Sequence, residues 1–206
     1  MPLELQEYFG IDFRHAELAL EGIANAATIL EDLKQQEILD YTAIRRALVV
    51  GPGNAHEMWL LKQLGVPYVL GIDNDTMPSW RIIRNNIQKK TPDAHITKDA
   101  FAHWVDTYDD DPFDLMLTIY ASPLLWNGVD WNRVADVLTP GGVFVIDGDV
   151  NPGGLGFTDK LSITWFRLNY DIDLPPEISE LTSGTTTIYE ARKHMYQRRV
   201  QLARHR

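Results

Sequence analysis

Cysteine is absent from the 206 residues. That excludes disulfides, thiolate metal sites and a cysteine nucleophile, and it leaves the redox compartment open. Long hydrophobic runs are missing too, and no stretch approaches the roughly 18 to 20 apolar residues that span a bilayer. The opening residues, MPLELQEYFGIDFRHAE, are mixed and charged and do not read as a signal peptide. A cytoplasmic location is therefore expected. Positive charge is scarce over most of the chain. The formal net charge is −10, yet residues 190–206 carry six Lys/Arg and one acid, a local +5 that leaves −15 on the rest. Broad binding to a phosphate backbone needs a basic face, so a nucleic-acid partner is not expected. A neutral or cationic small molecule suits the acidic body better. Internal repeats and low-complexity linkers are also lacking.

What is present is enough apolar material, 45% of residues, for one globular domain. One stretch organises it, Ala47 to Asp75. The apolar run Ala47-Leu48-Val49-Val50 leads into Gly51-Pro52-Gly53-Asn54-Ala55. Met58, Leu60, Leu61 and Leu64 follow at helical spacing, and Tyr68 to Ile72 is a second apolar run ending at Asp73. Strand, glycine turn, helix, strand and acid make a nucleotide-type site. The glycines allow a sharp turn and close approach of a ligand. The following helix N-terminus offers unpaired N–H groups. Asp73 lies 20 residues after Gly53, the spacing expected for an acid that accepts ribose hydroxyls.

Around this stretch the pattern alternates. Ala16, Leu20, Ile23, Ala27, Leu30 and Leu33 form a helical stripe after Asp12, a candidate cap, and a short helical segment is expected over Ile38 to Ile44. This N-terminal part, residues 1–45, reads as a packing element or a lid. A helix is expected from Thr76, with Trp80, Ile83 and Ile87 inward and Lys89 and Lys90 at its end. Ala94 to Thr97 reads as a third strand, Phe101 to Val105 as a short helix, Phe113 to Ile119 as a buried fourth strand, Trp131 to Leu138 as a helix, and Val143 to Ile146 as a fifth strand. A helix near Leu161 to Leu168 and two last strands, Tyr170 to Leu174 and Thr185 to Ala191, complete the reading. The tail, 192–206, is basic and reads as a terminal helix or as a surface for an anionic partner or another subunit. This alternation predicts a doubly wound α/β fold with a mostly parallel seven-stranded sheet over residues 46–191.

Four pieces of this pattern together resemble the class I S-adenosylmethionine-dependent methyltransferases, a Rossmann-like family. VVGPGNA is similar to the glycine loop under the methionine part of the cofactor, and GIDND to the ribose-binding strand end. TKDAF resembles the segment whose acid meets the adenine amino group, and LTPGGVFVID the turn before the fifth strand. The resemblance implies S-adenosylmethionine as cofactor, held by Gly51, Pro52, Gly53, Asn54, Glu57, Asp73, Asn74, Asp99, Ala100 and Tyr120. It departs in two places. The third glycine position is Ala55, a mild change. The acid usual two residues before the first glycine is Val49 here, and Glu57 is the substitute candidate for the cofactor's amino group.

For the chemistry, Tyr120, Asp147 and Asp149 are the candidate catalytic residues. Tyr120 lies at the end of the fourth strand, in Thr118-Ile119-Tyr120-Ala121-Ser122-Pro123, which lacks the Asn/Asp-Pro-Pro-aromatic motif for amino groups on bases. Asp147 and Asp149 open a loop with four glycines, DGDVNPGGLGFT. Magnesium-dependent relatives need a third acid where Ile119 and Tyr120 stand, so no metal is expected. His56, His95 and His103 show no partner in the sequence; His103 lies just after the adenine segment. The expected function is methyl transfer to a small molecule by in-line attack, with a homo-oligomer left open. The alternatives are aminocarboxypropyl or aminopropyl transfer, as in nicotianamine and spermidine synthases, and a non-catalytic scaffold with a degenerate fold.

Overall fold

A computed structural model of the chain describes residue 23, residues 26–53, 55–74, 94–119, 127–147, 159–167 and 199–206, and the single helical residues 85 and 89. Residues 26–35 form helix α1. A 3-10 turn over Tyr41–Ala43 precedes strand β1, Arg46–Val50. Then come α2 (His56–Gln63), β2 (Tyr68–Asp73), β3 (Ala94–Lys98), α3 (Phe101–Thr107), β4 (Phe113–Thr118), α4 (Trp131–Asp136), β5 (Leu138–Asp147), β6 (Leu161–Arg167) and β7 (Arg199–His205).

The seven strands make one sheet in the order β3-β2-β1-β4-β5-β7-β6. The four pairings among β1 to β5 are parallel, and β7 runs antiparallel to both its neighbours. The doubly wound, mostly parallel, seven-stranded α/β fold is therefore observed. Strand alternation sorts the apolar side chains to two faces. Ala47, Val49, Leu115, Leu117, Val143 and Val145 belong to a core shared with α1 and α2. Leu48, Val50, Leu70, Met116, Phe144 and Ile146 belong to the other, shared with α3 and α4. The helical stripe of the N-terminal segment is part of the first core, since Ile23, Ala27, Leu30 and Leu33 are all buried. Asn85 and Lys89, in the segment expected to be helical, are helical and exposed. Among the described residues no helix is long and apolar enough to cross a membrane.

Two expectations are corrected. Leu161–Arg167 is a strand and not a helix. Its sequence, LSITWFR, is rich in β-branched and aromatic residues, which fit a pleated surface better than a helix. The basic tail is not a terminal helix over its last residues: Arg199–His205 is β7, inserted between β5 and β6 with Ala203 opposite both Phe144 and Ile163. Basic composition concealed a strand whose backbone groups are paired on both sides. Tyr170 to Leu174 and Thr185 to Ala191, expected as last strands, lie outside the described residues.

Candidate functional site

The strand order reverses between β1 and β4, which are neighbours although β2 and β3 intervene in the chain. Open α/β sheets bind ligands at the carboxyl ends beside such a reversal. Gly51 follows β1 there, Asp73 ends β2, Asp99 follows β3 and Ile119 follows β4.

The turn after β1 owes its shape to left-handed backbone. Gly51 has φ +66°, Gly53 +49° and Ala55 +64°. The two glycines take this region freely. Ala55 does so at a steric cost of about 1 to 2 kcal/mol. Its amide meets the Pro52 carbonyl at 2.6 Å, which closes the turn, and its carbonyl accepts from Trp59 as α2 begins. The Gly51 amide donates to the Ile72 carbonyl at 2.8 Å and so extends the β1–β2 pairing into the turn. No side chain caps α2.

The three expected ligand elements are joined to one another. The Gly53 amide donates to Oδ2 of Asp73 at 3.2 Å. Asp73, itself buried, accepts through its carbonyl from the Asp99 amide at 3.1 Å. The Asp99 carboxylate then accepts the Ala100 amide on Oδ1 at 2.7 Å and Nδ1 of His103 on Oδ2 at 2.8 Å. The turn, Asp73 and Asp99 thus form one linked unit at the carboxyl edge of β1, β2 and β3. Asn74 is exposed directly after β2, and Ala100 is the exposed N-cap of α3. Asn54, Tyr120 and Asp149 lie outside the described residues. Asp147 ends β5, at the same edge of the sheet as the other strand ends.

Val49, at the position where the resemblance implies an acid, is 1% exposed and packs in the first core. An acid in that place would face apolar neighbours from β4 and β5. Glu57 lies instead in the first turn of α2 and is buried with its neighbour His56. Burial pushes the Glu57 carboxyl up to about 7, against a smaller opposing effect of its own backbone amide. Burial also pushes the His56 imidazole down to about 3. Both side chains are therefore held in their neutral forms at mildly acidic pH. Among the described residues no group of three His, Asp or Glu is arranged to hold a metal ion.

A contact at this edge that sequence reasoning missed is Asp99 with His103. The signal was available, because residues four apart on a helix face the same way. Trp131 is buried and stacks with Phe144 at 6.4 Å, while His95 is exposed on β3 near the ring of Tyr68.

The sheet order and the linked turn define the class: the chain has the class I S-adenosylmethionine-dependent methyltransferase fold, Rossmann-like. Solved structures with this fold include a proposed O-methyltransferase from Klebsiella pneumoniae, 14% identical, TM-score 0.57, over 88% of this chain and 80% of that one. An rRNA methylase from Streptococcus thermophilus is 11% identical, TM-score 0.51, over 88% and 93%. The plantazolicin methyltransferase BpumL, solved with a desmethylPZN analog and SAH, is 9% identical, TM-score 0.52, over 100% and 96%. No protein-family model matches the chain, and no curated protein matches it significantly. At these identities the likeness is one of fold.

Proposed function

We propose that the chain is an S-adenosylmethionine-dependent methyltransferase acting on a small-molecule substrate. The observation that carries this reading is the bond from Gly53 in the left-handed turn to Asp73 at the end of β2, beside the reversal in strand order. The donor and acceptor chemistry suits the cofactor. Asp73 accepts from ribose hydroxyls and Asp99 from the adenine amino group. Glu57 takes the ammonium group in place of the missing acid at Val49; burial, with no cation among its influences, is what raises its carboxyl. When bound, the cofactor supplies a methyl group already activated on a sulfonium. The protein's part is to align the acceptor and exclude water. Tyr120, Asp147 and Asp149 are the candidates for substrate contact. The acidic body favours a neutral or cationic acceptor and opposes nucleic acid. Association into a homo-oligomer is compatible with this reading.

The test is calorimetric titration with S-adenosylmethionine of the wild type and of Asp73→Asn. Asparagine keeps an oxygen for the Gly53 amide and removes the charge. Micromolar binding by the wild type, weakened about tenfold or more by the substitution, is expected from hydrogen bonds to a charged acceptor. No binding at millimolar concentration would overturn the reading. In a turnover assay the nucleoside product is expected to be S-adenosylhomocysteine; methylthioadenosine would mean aminocarboxypropyl transfer instead.

A further inference from the structure

We propose that His103 is a positioning residue of the adenine pocket, holding the Asp99 carboxylate in the orientation that receives the exocyclic amino group of the cofactor. The inference rests on the cofactor reading above and adds to it a residue that reading does not use. Asp99 sits between β3 and α3, and its amide is tied to the carbonyl of Asp73. Its backbone is thus fixed relative to the ribose acid, and what remains free is rotation of the side chain. That rotation is stopped at both oxygens. Oδ1 takes the Ala100 amide and Oδ2 takes the His103 ring. A carboxylate only accepts, so the proton of this contact sits on Nδ1 of His103. Each oxygen keeps a second lone pair for a ligand donor.

His103 has little else to do. Its side chain is 69% exposed, whereas Phe101, Trp104 and Val105 supply the buried face of α3. Removing the ring therefore leaves the helix packed and frees Asp99 at one of its two anchors. The consequence is specific to one part of the ligand. A fixed carboxylate attracts the amino group of adenine and repels the carbonyl oxygen that replaces it in hypoxanthine.

The experiment uses the full chain and two probes, S-adenosylhomocysteine and S-inosylhomocysteine, titrated by calorimetry into the wild type, His103→Ala and His103→Asn. The amide nitrogen of asparagine occupies nearly the position of Nδ1 and can still donate to Asp99. His103→Ala is expected to weaken S-adenosylhomocysteine by about 3- to 5-fold, the upper range for an exposed charge-assisted pair. Affinity for S-inosylhomocysteine stays level, so discrimination between the two narrows, and His103→Asn restores it. Equal effects on both probes, no effect on either, or failure of asparagine to rescue would overturn the positioning role while leaving the cofactor reading intact. Failure of the wild type to bind S-adenosylhomocysteine at all would overturn both.

Discussion

Replacing Glu57 by glutamine should expose a pH dependence that the wild type conceals. His56 and Glu57 are adjacent, both buried, and shifted in opposite directions. Glu57 ionises near 4.5 in an unfolded chain and near 7 when folded. Between those values the native state keeps a proton that the unfolded state has lost, so stability falls as pH rises. His56 titrates near 6.5 when unfolded and near 3 when folded. There the unfolded state binds a proton that the native state refuses, so stability rises with pH. The two windows overlap from pH 4.5 to 6.5, and each slope is about 1.4 kcal/mol per pH unit. Over the overlap each amounts to about 3 kcal/mol, and in the wild type they cancel. Glu57→Gln removes the falling slope, so the variant should gain about 3 kcal/mol from pH 4.5 to 6.5 relative to the wild type. His56→Gln should lose a similar amount over the same interval, and the double variant should run level with the wild type. Urea denaturation at three pH values across the window measures all four proteins, and terms from other groups drop out of the differences. Single variants whose stability runs parallel to the wild type across the window would refute the reasoning.

Two further predictions concern the frame of the site. A Cβ on Gly71 would stand 2.6 Å from Sδ of Met58 and 3.0 Å from Cγ of Pro52 in the glycine turn. Gly71→Ala should therefore cost about 1 to 3 kcal/mol by thermal or chemical denaturation. Adding Met58→Ala should recover part of the Gly71 penalty in a double-mutant cycle; additive losses would show that the strain lies elsewhere. Asp114 accepts the amides of Arg45 and Arg46 at 2.8 and 3.0 Å and so anchors the start of β1 to β4. Asp114→Ala should destabilise by about 1 to 3 kcal/mol, and Asp114→Asn, which keeps an acceptor, by clearly less. Equal losses in the two variants would mean that the amides find other partners.

Where periodicity and composition agree, the chain declared its own structure. Apolar runs bounded by glycine, proline and acids marked β1, β2, β4 and β5, because parallel strands covered on both faces are continuously apolar. The glycine turn was legible because left-handed backbone favours glycine, and Asp73 because it closes an apolar run at the expected distance from that turn. The last two strands of the sheet were not. Leu161–Arg167 and Arg199–His205 satisfy their backbone groups on one another and on β5, and nothing local announces a partner so far away in sequence. The Asp99–His103 pair was legible in principle from its spacing, but its purpose depends on where Asp99 lies.

By itself, then, the sequence determined the order of the elements from β1 to β5, the place of the glycine turn and the acid that ends β2, all of which follow from local sterics and polarity. Only the tertiary structure decided three other things. It brought Gly53, Asp73, Asp99 and His103 into one hydrogen-bonded unit. It packed Val49 into the core and placed Glu57, buried and with its carboxyl raised by that burial, at the start of α2. It inserted β7 antiparallel between β5 and β6. The reason is the same in each case: burial and hydrogen-bond pairing depend on neighbours distant along the chain, which a local pattern does not encode.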